Sequence, residues 1–426
     1  MKTYKYPDKK EWEVLRQRPE LNVTSLFDTV QTVLNDVRIE GDEAVRRYGE
    51  RFDKVRITDL PVSESEISEA ELLLTDELKQ AILTARRNIE KFHASQRFEG
   101  HGVETMPGVM CWQKAVAIEK VGLYIPGGTA PLFSTVLMLV VPARIAGCKE
   151  IVLCTPPDRE GKVHPAILFA AKVSGVSKIF KVGGIQAIAA LTYGTESIPK
   201  VYKIFGPGNQ YVVAAKQLVS LKDVAIDMPA GPSEVEIIAD DLADPAYIAA
   251  DFLSQAEHGA DSQSVLVTTS ETLAEAVKKE IECQLSKLPR RGFIEKSLLH
   301  SCIIILKSDD EMIDFSNRYA PEHLIIQTAN YAELSAEITN AGSVFLGPYT
   351  PESAGDYASG TNHTLPTKGY AKMYSGVNLD SFVRKITFQE ITEDGLRLLG
   401  PTIEVMAANE QLNAHKNAVT IRLKKR

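Results

Sequence analysis

The sequence of 426 residues predicts an α/β fold with two parallel-sheet domains and helical arms at both ends. Three observations support this prediction. From about residue 115 onward, short β-branched runs alternate with glycine turns and small-residue helices, as in a parallel sheet with crossover helices. The section before it has helical periodicity instead. The length is also enough for two or three domains of about 150 residues each.

The opening section is expected to be an arm followed by helices. Residues 1–22 are polar and predict an N-terminal arm. Apolar residues recur on one helical face between 30 and 37, before Gly41, and again from 78 to 92. Ser63 and Glu66 have the spacing of a capping box, which marks the start of a helical region.

A series of β-rich runs predicts the strands of the two sheets. The runs are 121–125, 150–154, 178–182, 201–205, 234–239, 265–268, 302–306 and 324–327. They predict one α/β domain over 121–234 and a larger, discontinuous one over 23–120 plus 235–378. Residues 379–426 include a helix-like stretch at 402–415 and are expected to form a C-terminal tail.

Composition and charge narrow the classes of protein. An apolar content of 44% and a charged content of 24% are ordinary for a globular chain, and a net charge of -8 argues against nucleic acid or an anionic membrane as partner. The five cysteines are scattered and odd in number, as expected of reduced thiols in a cytosolic protein. The N-terminus lacks a signal-peptide pattern, and the longest apolar run, near 136–141, is too short to span a bilayer. We therefore expect a cytoplasmic location.

Residues 253–259 could supply half of a metal site. On a helix Gln255 and His258 would share a face, whereas Glu257 would point away. Gly259 suits the end of that helix. The alternative interpretation is a polar helix end with a solvated histidine.

Glu322 and His323 are candidates for moving protons. They follow Pro321, which is common in the first turn of a helix, so we expect a helix start or a tight bend. The positive end of a helix would disfavour imidazolium and help His323 act as a general base. The alternative is a helix start with exposed charges.

Two further strings carry groups that could bind a ligand. Residues 355–367 predict a glycine-rich loop from which Asp356 and His363 project. Glu410 and His415 lie on an amphipathic turn that could equally be a solvated face. Together Gln255, His258, Asp356 and His415 would form a nitrogen and oxygen site suited to zinc, with cobalt or manganese possible.

The signal for dinucleotide binding is weak. No G-x-G-x-x-G occurs, and the glycines at 127–128, 183–184 and 206–208 form separate turns after predicted strands. Such turns could offer backbone amides to a phosphate, or could simply reverse the chain. A bound cofactor would lie at the carboxyl ends of the strands in an atypical pose.

Taken together, these strings resemble the histidinol dehydrogenase family over essentially the whole chain. The strings are YIPGG (124–128), APLFST (130–135), GG and QA (183–184, 186–187), GPGN (206–209), AGPSE (230–234), SQAEHG (254–259), APEHL (320–324) and GDYASGTNHTLPT (355–367).

The resemblance implies two Rossmann-like domains with atypical dinucleotide binding, and oxidation of L-histidinol to L-histidine through the aldehyde by a zinc-containing, NAD-dependent enzyme. It also implies a homodimer in which residues 379–426 form the dimerisation tail and active sites are shared between subunits. By resemblance, the metal ligands are Gln255, His258, Asp356 and His415, and the catalytic pair is Glu322 and His323. The implied substrate contacts are these four ligands with Ser233, His323, His363 and Glu410, and the implied cofactor contacts are Tyr124, Gln186 and Asn209.

Several alternatives remain open at this point. Gln411 stands where the family pattern has glycine, so that turn could be shaped differently. A zinc hydrolase would need no dinucleotide and would use Glu322 or His323 to activate metal-bound water. Zinc could also merely join two subunits, and a thiol relay through Cys111 or Cys154 is conceivable for an aldehyde oxidation.

Overall fold

The computed structural model describes residues 1–19, 23–127, 130–229 and 231–424. It contains two parallel sheets flanked by helices, which confirms the predicted α/β fold. Of the strings used above, Gly128, Ala230, the end of the N-terminal arm at 20–22 and the last two residues lie outside the described ranges.

The strands, in chain order, are β1 (Lys2–Lys5), β2 (Val103–Met106), β3 (Val109–Ala117), β4 (Lys120–Tyr124), β5 (Glu150–Thr155), β6 (Lys178–Lys181), β7 (Lys203–Phe205), β8 (Ala225–Ile226), β9 (Glu234–Ala239), β10 (Gln263–Thr268), β11 (Cys302–Ile305), β12 (His323–Gln327), β13 (Ser343–Leu346) and β14 (Val383–Ile391).

The α-helices are α1 (Trp12–Leu15), α2 (Phe27–Glu40), α3 (Asp42–Tyr48), α4 (Glu64–Leu72), α5 (Asp76–Ala94), α6 (Phe133–Ala146), α7 (Pro165–Ser174), α8 (Gly184–Tyr193), α9 (Gln210–Ser220), α10 (Pro245–Ala256), α11 (Glu271–Leu285), α12 (Arg291–Ser297), α13 (Asp309–Tyr319), α14 (Tyr331–Ala336), α15 (Glu352–Tyr357), α16 (Glu393–Asn409) and α17 (Asn413–Lys424).

The two parallel sheets form separate units. One has five strands in the order β6-β5-β4-β7-β8, and the other has six in the order β1-β11-β10-β9-β12-β13. A third sheet, β14-β3-β2, is antiparallel and was not predicted. Most residues of β14 are exposed or nearly so, and a strand without a buried face lacks the alternation of apolar and polar residues on which sequence-based detection depends.

The N-terminal helices pack on the five-stranded unit. The apolar face of α2 enters one core with α8 and α9, while α5 packs on α6 and α4 on α7. We had expected residues 23–120 to join 235–378, and for these helices the packing differs from that expectation. Periodicity shows that a helix has an apolar face, but it does not identify the surface that covers the face. The domain boundaries themselves stay a prediction.

The N-terminal arm belongs to the six-stranded unit. Strand β1 pairs in parallel with β11 and forms an edge of the sheet. The indole of Trp12 is buried and packs edge-on against Phe315, with ring centroids 5.5 Å apart. The polar arm therefore ends in a fixed contact with α13.

The C-terminal tail contains two helices instead of the single helix-like stretch expected at 402–415. Helix α16 ends at Asn409, and α17 starts four residues later and packs against it. Between them Gln411 has φ +62°, the left-handed conformation that glycine adopts most readily. The tail thus keeps a turn of the shape that the family glycine would favour.

Two general features bear on function. Within the described ranges, no helix is both long and apolar enough to cross a membrane.

All five cysteines are free, and burial raises the pKa of the Cys154 thiol well above its usual value. A buried thiol that resists ionisation is a poor nucleophile, which argues against a relay through Cys154.

Candidate active site

A cluster of polar side chains lies at the amino ends of β9 and β12. Helix α10 connects β9 to β10, so it runs opposite to the strands and its carboxyl end returns to this edge of the sheet. Gln255 occupies the last turn of α10, and His258 lies just after it, with its amide donating to the Gln255 carbonyl at 3.2 Å. The turn at the end of α10 thus keeps Gln255 and His258 at the spacing expected of two side chains on one helix face.

His323 begins a strand, so the expected helix start at Pro321 is wrong, whereas the alternative of a bend is confirmed at Glu322. Helix α13 ends before Ala320, which has φ +54°, and His323 pairs with Val235 as the first residue of β12. Proline also suits the entry to a strand, where its missing amide is not needed. The argument that a helix amino terminus lowers the basicity of His323 therefore does not apply.

Asp356 lies in α15 (Glu352–Tyr357), whereas we expect it from the sequence in a glycine-rich loop. Glu352 begins the same short helix and shares a face with Asp356, because the two stand four residues apart. The carboxylate of Glu352 is buried, and neither oxygen has a hydrogen-bond partner among the described residues. The sequence analysis missed Glu352, although its spacing from Asp356 just after Pro351 was a possible signal.

The arrangement of donor atoms suits a metal ion. His258 Nε2 lies 3.9 Å from Asp356 Oδ2, and ligand atoms of His258, Glu352 and Asp356 lie within 4.8 Å of one another. Gln255 is fully buried, and neither atom of its side-chain amide has a partner within the described ranges. Because unpartnered buried polar groups are costly, this set of ligand atoms fits a cation, which would satisfy the unpartnered side-chain oxygens of Gln255 and Glu352.

His323 sits among three carboxylates. Its Nε2 is 3.5 Å from Asp356 Oδ1, and its Nδ1 is 3.7 Å from both Glu322 Oε2 and Glu352 Oε1. Nδ1 is also 3.3 Å from the carbonyl oxygen of Glu234. Since every neighbour of Nδ1 is an acceptor, this geometry favours a proton on Nδ1 and leaves Nε2 as the nitrogen that faces Asp356.

The charges of this cluster shift its pKa values strongly. Burial disfavours imidazolium, but the negative charges of Glu352, Glu322 and Asp356 outweigh it and raise the pKa of His323 to about 10. Burial raises the pKa of Glu322 to about 8, although the charge of His323 opposes it. Burial would also raise the pKa of Asp356, yet its contact with His323 lowers it to about 2. Asp356 is thus the carboxylate held in its ionised form.

Two further residues expected to contact the substrate, Ser233 and His363, lie at different places around the cluster. Ser233 precedes β9, and its carbonyl accepts the Gln263 amide at 3.1 Å. His363 has Nδ1 2.8 Å from the Asp356 carbonyl and Nε2 3.1 Å from Thr135 Oγ1 on α6. This contact connects the cluster to the five-stranded unit.

Glu410 and His415 are not brought to the cluster within one chain. Both are exposed on the C-terminal tail. The group of His258, Glu352 and Asp356, found in the part of the chain that the structure describes, does not include His415.

A separate cleft of about 940 Å³ opens at the carboxyl ends of β4 and β5. The residues predicted to contact a cofactor are found at or beneath it. Tyr124 lines the cleft and its hydroxyl accepts the Gly184 amide at 3.1 Å, while Asn209 lines it and caps α9. Gln186 is fully buried, and its Nε2 donates to Asp53 Oδ2 at 3.1 Å.

The chemistry of the cleft fits a phosphate-containing molecule. Its lining includes the amino-terminal residue of α8, the cap of α9 and several cations, namely Arg51, Lys54, Arg159 and Lys162. Helix amino ends and cations both favour phosphate oxygens. The buried Oε1 of Gln186 has no hydrogen-bond partner among the described residues, and Gln186 itself does not line the cleft.

Comparisons with known proteins identify the family. The model of the family described as histidinol dehydrogenase matches residues 16–423. A histidinol dehydrogenase of Bacteroides thetaiotaomicron is 68% identical over 423 residues, covering 99% of each chain. That of Escherichia coli K12 is 53% identical over 412 residues, covering 96% of this chain and 94% of the relative. The crystal structure of histidinol dehydrogenase from Elizabethkingia anophelis superposes with a TM-score of 0.98 at 56% identity, covering 100% of this chain and 98% of that one. The chain therefore belongs to the histidinol dehydrogenase family, whose members are oxidoreductases that oxidise histidinol in histidine biosynthesis.

Proposed function

We propose that the protein oxidises L-histidinol to L-histidine in four electrons, through L-histidinaldehyde, with zinc and NAD as cofactors. The observation that carries the proposal is the convergence of ligand atoms from the exposed His258 and the buried Glu352 and Asp356, with the buried, unpartnered amide of Gln255 and the His323 ring beside Asp356. An active site built around a cation and a base suits removal of a hydroxyl proton before hydride leaves.

In the proposed mechanism, Gln255, His258 and Asp356 hold zinc, and His415 from a second copy of the chain completes the set. Bound zinc would hold the amine and imidazole of histidinol, and its charge beside Asp356 would favour the neutral form of His323. His323 then accepts the hydroxyl proton at Nε2. Its Nδ1 proton is directed towards the carbonyl of Glu234 at 3.3 Å, which keeps the ring oriented.

Glu322 and Glu352 have different proposed roles around the same ring. Glu322, held by the Glu234 amide at 2.9 Å, would take a proton from water as the aldehyde is hydrated before the second hydride transfer. Glu352, which the family resemblance did not assign, would act through its charge rather than a hydrogen bond, orienting the ring and stabilising the imidazolium from 3.7 Å. A reactive aldehyde would thus remain in one site between the two steps.

The cleft on the five-stranded unit is the proposed NAD site. Bound NAD would accept the hydride from the alcohol carbon. Tyr124 and Asn209 line the cleft, and Gln186 supports its floor. The contact between His363 and Thr135 would hold the two units in register for this transfer.

The remaining parts of the proposal concern assembly and location. Glu410 and His415 are exposed, and the same tail exposes Leu398, Val405 and Met406. We propose that this tail crosses to a second copy of the chain and brings both polar residues to its active site. A cytoplasmic location, expected from the sequence, belongs to the same proposal.

The primary test is reduction of NAD by histidinol, followed by NADH absorbance, together with zinc analysis of the purified protein. His258→Ala and Asp356→Ala should lose zinc and activity together, whereas His323→Ala should retain zinc and lose turnover. No NADH from the zinc-loaded wild-type protein would refute the proposed reaction. Full activity in any of the three variants would refute the role of that residue.

Sharing of active sites can be tested by complementation. His258→Ala and His415→Ala homodimers should each be inactive, and mixed dimers should regain activity because one of their two sites has both histidines. The control is either variant refolded alone under the same conditions. Absence of recovery in verified heterodimers would rule out a shared site.

A further inference from the structure

A buried ion pair joins the N-terminal arm to the strand beside the catalytic pair. Arg18 Nε donates to Glu234 Oε2 at 2.5 Å, and their side chains are only 11% and 1% exposed. Arg18 has no role in the mechanism above, and Glu234 contributes to it only through its backbone. Arg18 comes from the predicted arm, and Glu234 ends the AGPSE string, which the proposed reaction left unexplained.

The backbone of Glu234 contacts both members of the catalytic pair. Its amide donates to Glu322 Oε2 at 2.9 Å, and its carbonyl lies 3.3 Å from His323 Nδ1. A displacement of Glu234 would therefore move the hydrogen-bond partners of both side chains. The position of the Glu234 side chain is in turn set by Arg18.

The same guanidinium also holds the other side of the pair. Arg18 Nη2 donates to the carbonyls of Tyr319 at 2.7 Å and Ala320 at 3.4 Å, and its plane lies over the Tyr319 ring, 3.7 Å from the centroid. Ala320 has φ +54° and leads through Pro321 to Glu322. Arg18 thus fixes the turn from which the catalytic pair emerges.

A third contact reaches the segment that follows His363. Glu234 Oε1 accepts the backbone amide of Lys368, and Thr367 Oγ1 accepts the Gly231 amide at 2.5 Å. One ion pair therefore connects the arm, the end of α13, the start of β9 and the segment at 367–368.

We infer that Arg18 is a positioning residue that holds Glu322 and His323 in place for their proton transfers, an inference that rests on the proposed function. A buried ion pair is weak evidence for stability, because desolvation of both charges offsets their attraction. Its directional bonds are better suited to fixing geometry, and the planar guanidinium can bond a carboxylate and two carbonyls at once. Lysine at the same position would keep the charge and lose this fork.

The test compares Arg18→Ala and Arg18→Lys with Arg16→Ala. Arg16 is a matched control because it lies on the same arm and donates to the Arg318 carbonyl at 2.9 Å without a recorded contact to Glu234. In Arg18→Ala we expect kcat to fall about tenfold or more, the usual effect of losing an outer-shell partner. The KM for NAD and the zinc content should stay close to those of the wild type. Added guanidinium should restore part of kcat in Arg18→Ala and none in Arg18→Lys.

Hydrogen exchange provides a readout that does not depend on activity. The Glu234 amide is bonded to Glu322, so it should exchange faster in Arg18→Ala and at the wild-type rate in Arg16→Ala. Wild-type kcat and wild-type exchange in Arg18→Ala would overturn the inference, as would activity loss that merely follows loss of zinc. If Arg18→Ala does not fold, a folded Arg18→Lys decides: lowered kcat with full zinc supports positioning, and wild-type kcat refutes it. An inactive wild type would instead refute the proposed reaction, while the exchange measurement would still test the role of Arg18.

Discussion

Glu236, a buried carboxylate without a role in the proposed reaction, should make the stability of the protein fall as pH rises. It lies on β9 between Val265 and Leu324 of the neighbouring strands, is 0% exposed, and has no hydrogen-bond partner among the described residues. Burial raises its pKa to about 8, with a smaller contribution from the charge of Glu234, although the nearby Ser316 hydroxyl and the charge of Arg18 oppose the shift. Glu236→Gln replaces it with a neutral group of the same size.

The sign and size of the effect follow from the two pKa values. The ordinary value is 4.5 and the folded value about 8, so between these values the unfolded chain releases the proton while the folded chain retains it. Stability is therefore lost as pH rises through this window. One pKa unit corresponds to about 1.4 kcal/mol, and pH 7 lies about 2.5 units above the ordinary value, which gives a cost of about 3 kcal/mol at pH 7. Glutamine carries no such cost at any pH.

Urea denaturation at several pH values between about 5 and 8, followed by tryptophan fluorescence, measures the effect. The variant should gain stability over the wild type as pH rises, by about 3 kcal/mol between the ends of this range. Glu337→Gln, at an exposed position on the same unit, is the control and should show no such trend. A difference between Glu236→Gln and the wild type that is the same at both ends of the range would refute the reasoning.

Three further substitutions test particular features. Gly206→Ala should destabilise the protein by more than about 3 kcal/mol in thermal or urea denaturation, because φ is +123° and the added Cβ would lie 2.0 Å from the Tyr124 carbonyl oxygen; a stable variant would contradict this geometry. Gln411→Gly should raise the free energy of unfolding by about 1 kcal/mol by relieving a left-handed residue, and a lower value would show that the side chain stabilises the turn. Glu352→Gln should reduce kcat about 10- to 100-fold while the protein stays folded, because it removes the charge 3.7 Å from His323 Nδ1; unchanged kcat would exclude an orienting role.

The arrangement of apolar residues along the sequence was sufficient to predict most of the helices and strands of the fold. The run at 234–239 was predicted as a strand and is β9 (Glu234–Ala239), and the helix face before Gly41 is α2 (Phe27–Glu40). Helix α2 is buried on one face and shows helical periodicity, whereas β9 is buried at every residue and appears as a short β-branched run. Strand β14 was missed because it is largely exposed, and the partner of α2 was assigned to the other unit because periodicity carries no information about partners.

Less of the candidate site could be predicted from the sequence. The spacing of Gln255 and His258 suggested a shared site, and the structure places both at the end of α10. Glu352 was missed because its importance comes from burial against His323, which depends on long-range packing. Pro321 gave a misleading signal, since proline can precede either a helix or a strand. Family membership as an oxidoreductase also rules out the hydrolase and the structural-zinc interpretations as accounts of what the chain does.

The two units use opposite edges of their parallel sheets, and this explains how one chain can hold groups of opposite charge. The metal-type cluster lies at the amino ends of β9 and β12, where the carboxyl end of α10 carries negative partial charge that favours a cation. The cleft lies at the carboxyl ends of β4 and β5, where the amino ends of α8 and α9 favour phosphate. In a parallel sheet the connecting helices run antiparallel to the strands. Helix amino ends, with positive partial charge, therefore lie at the carboxyl edge of the sheet, and helix carboxyl ends, with negative partial charge, lie at its amino edge. The proposed cation and the proposed anionic cofactor would therefore each meet a favourable field, because each would lie at helix ends of the opposite sign to its own charge.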